Sequence, residues 1–482
     1  MVSIRAAAPL VLLLLSGCVV GPDHTAPEVT LPSKFAEGSA KSNGDISTQQ
    51  WWTAFNDKRL NGYVQQGLDE NLNILQAMER INQAEASIVQ AGAGAFPALD
   101  LSAEGARSGK RGLRGTPSTT PTTGAQAGLT ASWLIDFFGY YRRSREAAIA
   151  QLEAADAEVD TARLSLLSQV VSAYIDVRYY QERVALSRAN LKSRNETLSL
   201  TKLQLEAGAA SRLDVVQSEG LVNSTLAEIP SYETSQRQAA HRVATLLGQP
   251  ASALLDDLQR GARQPVARIN AKAGVPADLI RNRPDIRAAE RALAAAVANI
   301  GVAEAQLYPS ISLGGSITPS YLRNNGGADN HLLSWSFGPQ LSLPIFDGGA
   351  LRAGVSSRES AAREAYLAWK QTVLDGVEEV QNALAAISRD ARTVSALRAT
   401  VNSQQEALTL ATASYRDGAS SLLDVLDAQR EVSTAQGNYA AAVRQMAQNY
   451  VALSVATGGG YAFGKGPVTR GPTVVAAKTI QK

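Results

Sequence analysis

Two carboxylates in the C-terminal part of the chain have a spacing that lets side chains act together. Asp424 and Asp427 are three residues apart at the start of a predicted helix, so both lie on one face of its first turn. One interpretation is stabilisation of the helix dipole, worth about 0.3–1 kcal/mol for each carboxylate. The other interpretation is electrostatic, because three copies meeting around an axis would bring these pairs together as a ring of carboxylates.

Few other residues could support catalysis or bind a metal. The chain has one Cys and three His, which excludes a disulfide framework and disfavours a His/Cys metal centre. Residues 105–111 resemble a phosphate-binding loop, but they are one residue short of that motif and lack Ser or Thr after the Lys. With 46 basic and 44 acidic residues, the chain offers no basic surface for nucleic acid. We therefore expect no enzyme activity, no metal and no cofactor other than a covalent lipid.

The single cysteine, Cys18, stands where such a lipid would be attached. Arg5 and the apolar run 6–15 are typical of a secretory signal that is too short to span a bilayer. The run ends in Leu-Ser-Gly-Cys, which resembles the bacterial lipobox. Residues 1–17 are therefore predicted to be removed and Cys18 to carry diacylglyceryl and acyl chains such as palmitate; an incidental cysteine is the alternative. Val19 in place of Asp suggests, by resemblance to lipoprotein sorting, the outer membrane.

The elements that must position these residues occur twice. Residues 208–215 and 418–425 are similar at an offset of about 210 residues, which predicts two internal structural repeats. Each repeat contains a long heptad series of apolar residues, over 152–205 in the first and 366–415 in the second. The first series predicts a helix over 142–206 that is about 100 Å long. For the heptads alone, a cytosolic-type rod or bundle is the alternative.

Two segments with period-two alternation precede each long helix, in hairpins predicted over 96–136 and 308–346. One face is apolar and the other carries small polar residues, which is typical of strands in a membrane barrel with a wet lumen. An ordinary half-buried hairpin is the alternative. Four strands cannot close a barrel, and open strand edges cannot lie in lipid, so several chains would have to share one barrel. Three copies would give a twelve-stranded barrel.

Several segments, in their order and spacing, resemble one known family. They are Cys18–Asp23, Trp51–Trp52 with Phe55–Leu60, Arg80–Ala84, Arg283–Glu290 continuing to Tyr308–Pro309, and the helix tips near Gly208 and Gly418. Over nearly its whole mature length the chain resembles the TolC/OprM-like outer-membrane factors, in particular the NodT-type lipoproteins of RND efflux systems. The resemblance implies an α+β membrane protein. It would be a homotrimer with a twelve-stranded transmembrane β-barrel, four strands per chain, continued by a long periplasmic α-helical barrel.

The same resemblance assigns the segments of the chain. After the signal peptide at 1–17, residues 18–60 are the lipidated N-terminal segment and part of an equatorial girdle. The remaining assignments are 61–247 for the first repeat with its tip at 207–213, 248–284 for an equatorial connection, 285–457 for the second repeat with its tip at 417–423, and 458–482 for a C-terminal equatorial tail.

The resemblance also assigns roles at the two helix tips. Asp424 and Asp427 match the family's periplasmic gate, with Tyr415 one turn before the tip as their partner. Ser420 departs from the family, because some TolC-type tips carry a basic gate residue there. The exposed tips would also dock a periplasmic adaptor, since small side chains let another helical hairpin approach. The residues assigned to the tips and to docking are Gly208, Ala209, Ser211, Leu213, Asp214, Gly418, Ala419, Ser421 and Leu423.

Together these features predict a passive export duct for small molecules such as drugs or toxic compounds, from the periplasm to the exterior. Its partners would be two further copies of the chain, a periplasmic adaptor, an inner-membrane RND transporter that supplies the energy, and outer-membrane lipid. The chain would be lipid-anchored in the bacterial outer membrane and extend into the periplasm. Two alternatives are a duct of the same build for type I protein secretion and a non-channel coiled-coil envelope lipoprotein.

Overall fold

The computed structural model of the chain describes residues 19–38, 41–110, 121–261, 263–267, 274–324 and 329–464. These residues form two compact units, each assembled from segments that are far apart in the sequence. The first unit takes its residues from Met1–Val29, Met78–Ala157 and Arg287–Thr372, and the second from Thr30–Ala77, Glu158–Ile286 and Val373–Lys482. The predicted signal peptide, Cys18 and most of the predicted C-terminal tail lie outside the described residues.

Long helices and a few strands make up the described part of the chain. The helices are α1 Lys58–Glu70, α2 Leu72–Ala93, α3 Tyr140–Glu206, α4 Arg212–Leu246, α5 Leu255–Gln259, α6 Ala277–Asn282, α7 Pro284–Ala305, α8 Ala350–Arg416 and α9 Leu422–Ala456. The strands are β1 Ala98–Ser108, β2 Thr122–Ile135, β3 Ser310–Asn324 and β4 Asn330–Ser342. All four strands fall within the two predicted hairpins, and α3 ends at the residue predicted from the heptads.

The strands form one antiparallel sheet in the first unit, in the order β1-β2-β3-β4. Each predicted hairpin is a paired unit, with Ala98 opposite Ser132 in the first and Ser310 opposite Ser342 in the second. Pairing of β2 with β3 joins the hairpins. Within the described residues, β1 and β4 are therefore edge strands, and each is hydrogen-bonded to a neighbour on one side only.

The apolar side chains of β4 are exposed in the single chain. Alternation places Leu333, Trp335, Phe337 and Leu341 on one face, and these side chains are 66–77% exposed. Small polar residues and Gly occupy the positions between them. A continuous exposed apolar surface of this kind marks a site that meets another protein or a membrane. Within the described residues, these side chains of β4 are covered less than the half-buried hairpin considered as the alternative would leave them.

The long helices bury most of the predicted heptad series. Helices α3 and α8 have 67 residues each, and α4 and α9 have 35 each. In the second unit Val170, Val177, Val373 and Val380 are at most 1% exposed. Tyr366, in the first unit, departs from the prediction because 36% of it is exposed. Heptad spacing identifies a packing surface, but it does not tell which chain supplies the partner.

An aromatic cluster forms part of the core of the second unit. The rings of Trp51 and Phe55 both meet the Tyr450 ring edge-on, with ring centres 6.2 and 5.6 Å apart. Trp52 is only 1% exposed and belongs to the same core. Aromatic residues are scarce in this chain, so their concentration here makes the Trp51–Trp52 segment a packing centre. Its assignment to an equatorial girdle remains a prediction.

Candidate functional site

The two helix tips are turns of the same geometry. Gly208 and Gly418 have φ of +75° and +72°, which L side chains rarely adopt. The following amides, of Ala209 and Ala419, donate to carbonyl oxygens five residues earlier over 2.7 and 2.9 Å. This pattern is the Schellman motif that ends a helix at a glycine. A Cβ at either glycine would meet nothing within 4 Å, so the backbone conformation, and not space, requires glycine there.

A capping box begins the helix after each turn. Ser421 is the N-cap of α9, and its hydroxyl accepts a hydrogen bond from the Asp424 amide. In return, the Asp424 carboxylate accepts from the Ser421 amide and hydroxyl over 2.9 and 2.8 Å. Ser211 and Asp214 form the equivalent box at the start of α4, over 2.8 and 2.7 Å. Both aspartates therefore satisfy backbone donors that would otherwise be unpaired.

The two predicted gate carboxylates have separate partners. Asp424 belongs to the capping box, whereas Asp427 forms an ion pair with Arg430, one turn further along α9. Both side chains of that pair are 53% exposed, so solvent screens it. Asp424 is also an exposed residue. Arg430 was not predicted from the sequence, although its i,i+3 spacing from Asp427 is typical of a helical ion pair.

Tyr415 joins the second helix pair to the first. Its ring packs with Leu422, Val425 and Leu426 in a small buried cluster. Its hydroxyl donates to the side-chain oxygen of Gln204 on α3, not to Asp424 or Asp427. The predicted partnership of Tyr415 with the aspartates of the gate stays a prediction, and its hydrogen bond to Gln204 was not predicted from the sequence.

A buried polar layer lies between the helices some two turns above the tips. The Gln429 amide of α9 donates to the Thr197 hydroxyl of α3 over 2.9 Å. Arg194 of α3 donates to the Thr225 hydroxyl and to the Leu221 carbonyl oxygen of α4. Burial lowers the pKa of Arg194, because its charge is removed from water. No sequence pattern pointed to this layer, since polar residues on a long helix resemble a solvated face.

The residues assigned to adaptor docking lie at the surface of the tips. Leu213 is 64% exposed and Leu423 is 50% exposed. Leu203 and Leu410, on the helices that enter the tips, are exposed to a similar extent. The small residues of the turns are exposed as well, namely Gly208, Ala209, Ser211, Gly418, Ala419 and Ser421. The tips therefore expose both backbone and apolar side chains.

Among the described residues, no group of three or more His, Cys, Asp or Glu side chains is arranged to hold a metal ion. In the same part of the chain, no helix combines the length and apolarity needed to cross a membrane.

Known proteins resemble this chain over almost all of its length. The outer membrane efflux protein family matches residues 63–249 and 275–459. Nodulation protein T of Rhizobium leguminosarum bv. viciae is 54% identical over 475 residues, which cover 98% of this chain and 97% of that protein. Outer membrane protein OprJ of Pseudomonas aeruginosa is 34% identical, covering 95% and 96%. The solved structure of the outer-membrane channel OprN has a TM-score of 0.81 at 32% identity and covers 92% of this chain and 100% of that one. The chain therefore belongs to the outer membrane efflux protein family.

Proposed function

We propose that this chain is the outer-membrane channel component of a tripartite RND-type efflux pump. It is a passive duct that carries small molecules, such as drugs or toxic compounds, from the periplasm to the exterior. It performs no catalysis, so the energy comes from an inner-membrane transporter reached through a periplasmic adaptor. Membership of the outer membrane efflux protein family supports this proposal, as does the likeness to the OprN channel.

The open sheet carries the proposal. In the described part of the chain, edge strands β1 and β4 have a hydrogen-bonded neighbour on one side only, and lipid offers no hydrogen bonds to the other side. The apolar side chains of β4 are exposed where lipid could cover them. A homotrimer resolves both problems, because β1 of one copy can pair with β4 of the next and close a twelve-stranded barrel. The equal lengths of α3 and α8, and of α4 and α9, support two structural repeats that continue the barrel as a periplasmic α-helical barrel.

The helix tips form the periplasmic gate in this proposal. Asp424 and Asp427 of three copies make a ring at the narrow end, and Tyr415 holds α8 against α3 one turn above it. Leu213 and Leu423, with the small residues around Gly208 and Gly418, receive the adaptor. The exposure of these residues supports the assignment.

The remaining assignments concern the lipid anchor, the equatorial girdle and cofactors. Cys18 carries the covalent lipid that anchors the chain in the outer membrane. Residues 18–60, 248–284 and 458–482 form an equatorial girdle around the helical barrel. No non-covalent cofactor takes part.

Reconstitution of the purified, acylated chain into planar bilayers tests the proposal. We expect trimers that conduct ions once the tip is loosened, and copurification with a periplasmic adaptor and an RND transporter from the native envelope. A chain that stays monomeric, or trimers that never conduct, would exclude a channel and favour the coiled-coil scaffold. Copurification with an ABC-type exporter in place of the RND transporter would favour protein secretion.

A further inference from the structure

The first residues after Cys18 fit closely against the first compact unit. We call residues 19–24 the anchor segment. The Val20 amide donates to the Phe138 carbonyl oxygen over 3.2 Å, and Phe138 lies three residues after the end of β2. Gly21 crosses α7 at Gly301, where a Cβ on Gly21 would stand 2.4 Å from the Gly301 Cα. The crossing therefore requires glycine in the anchor segment.

Arg143 holds the backbone of the anchor segment. This residue of α3 is only 4% exposed. Its Nε donates to the Val20 carbonyl oxygen over 3.0 Å and its Nη2 to the Gly21 carbonyl oxygen over 2.9 Å. Ion pairs of 2.8 Å with Asp23 and Glu146 balance its charge. A buried guanidinium is costly unless its donors are paired in this way.

Both ends of the anchor segment are fixed as well. At the start, Gly139 has φ of +85°, and a Cβ there would lie 2.8 Å from the Val19 side chain. At the end, His24 Nε2 lies 2.5 Å from Glu290 Oε1, and both side chains are largely buried. The contacts come from α3, α7 and the end of β2, so the anchor segment is seated in a preformed groove and is not a loose linker.

The position of this groove gives it a role. Covalent geometry allows at most about 7 Å between Cα atoms two residues apart, so a lipid on Cys18 must be attached close to Val20. A flexible tether would let the lipid and the strands enter the membrane independently. Here Arg143 and Gly301 hold Val20 and Gly21 beside the end of β2.

We propose that the groove formed by Phe138, Gly139, Arg143 and Gly301 couples the acylated N-terminus to the folded strands. Insertion of the lipid then brings the end of β2 to the membrane directly and accelerates barrel assembly. This inference rests on the lipidation and outer-membrane insertion of the proposed function.

Two glycine substitutions test the coupling. In Gly301→Ala the new Cβ would lie 2.8 Å from Arg143 Cγ and 2.9 Å from the Val20 carbonyl oxygen, so the anchor segment must leave its groove. In Gly354→Ala, on α8, the Cβ meets nothing within 4 Å. Both changes replace a helical glycine and favour the helix equally. Limited proteolysis within residues 19–29 should therefore increase for Gly301→Ala alone.

The decisive measurement is the rate at which membrane-inserted trimers form for wild type, Gly301→Ala, Cys18→Ser and the double variant. Loss of the lipid should slow insertion on the order of tenfold, because the strands lose their local concentration at the membrane. We expect Gly301→Ala to slow insertion equally although its mass shows a full lipid. The double variant should be no slower than Cys18→Ser. Arg143→Met, which leaves α7 unchanged, should repeat the result.

Three outcomes would overturn the coupling. The first is a loss of insertion rate that is equally large when Gly301→Ala is added to Cys18→Ser. That result would show that the groove contributes to packing alone. The second is unchanged insertion although the anchor segment has become protease-sensitive. The third is absence of acylation on Cys18, or insertion that does not depend on it. Conductance is recorded separately on the inserted trimers, so coupled insertion without conductance would refute the channel and leave the coupling standing.

Discussion

Replacement of Asp424 by Ala can distinguish a role of this residue in the gate from its role in the capping box of α9. Asp214 provides a matched control, because it has the same place in the capping box of α4. Both carboxylates accept hydrogen bonds from the amide and hydroxyl of the N-cap serine, over 2.9 and 2.8 Å at Asp424 and 2.8 and 2.7 Å at Asp214. Replacement of an N-cap residue costs about 0.5–2 kcal/mol, and removal of its N3 partner, which leaves the serine N-cap in place, costs no more than about 2 kcal/mol. At 1.4 kcal/mol for each factor of ten, local unfolding of the tip increases up to about thirtyfold in either variant.

Only the second tip is expected to control the channel. We expect Asp424→Ala combined with Asp427→Ala to raise conductance, because the carboxylates that accept closing contacts around the ring are removed. The Asp427–Arg430 pair is exposed and contributes about 0.3–0.5 kcal/mol within its own helix. Its loss therefore adds little to the instability that the missing cap already produces. Any large additional rise in conductance must therefore come from loss of the carboxylate ring.

Single-channel conductance in planar bilayers, measured beside the thermal unfolding midpoint, distinguishes the two causes. Asp214→Ala should lower the midpoint about as much as Asp424→Ala and leave conductance near that of the wild type. If Asp214→Ala raises conductance as much as the Asp424 and Asp427 substitutions do, loss of a cap explains the opening and the gate is refuted. If all variants stay closed, the carboxylates are not part of the gate.

Two further outcomes follow from contacts in the structure, and a third follows from the proposed lipidation of Cys18. Tyr415→Phe keeps the ring in its apolar cluster but removes the hydrogen bond to Gln204, so we expect a loss of about 0.5–1.5 kcal/mol in unfolding free energy and a higher conductance; unchanged conductance would remove Tyr415 from the gate. Burial opposes ionisation of Glu290, but hydrogen bonds from Arg291 and His24 outweigh it and lower the pKa of Glu290 below 4.5. The stability that this carboxylate gives the anchor segment is therefore present above pH 4.5 and is lost as the pH falls through the lowered pKa, which proteolysis of residues 19–29 over an acid pH series measures. The same series on Glu290→Gln should show a weaker acid response, because only the contribution of Glu290 is removed, and an identical acid response in that variant would contradict the assignment. Cys18→Ser should remove the lipid mass seen by mass spectrometry and still yield trimers, if more slowly; complete failure to assemble would show that the lipid is indispensable.

Features set by neighbouring residues were predictable from the sequence. The first heptad series predicts a helix that ends at residue 206, and α3 ends at Glu206 in the structure. The sequence placed Asp424 and Asp427 in the first turn of a helix, and the structure begins α9 at Leu422 with Ser421 as its N-cap. Alternation located both hairpins. Each of these signals is local, because helix caps, turns and strand faces are decided within a few residues.

Contacts between distant segments were not predictable in this way. Tyr415 and Gln204 are 211 residues apart, and either could have faced solvent on a polar helix. Arg143 gave no signal of its own, because one arginine among many becomes distinctive only when the Val20 and Gly21 carbonyl oxygens reach it. Gln429 and Arg194 were hidden for the same reason, since a polar residue in a heptad series is usually a solvated one.

By itself, the sequence determined the secondary structure, the pairing of strands within each hairpin and the resemblance that fixes the family. These properties depend on periodicity and on short motifs, which the order of residues contains directly. The tertiary structure decided which segments form a compact unit, that the Tyr415 hydroxyl donates to Gln204 and that Gly21 passes against Gly301. Such features depend on close packing between residues hundreds of positions apart, where fit within a few tenths of an ångström, and not residue type, selects the partner.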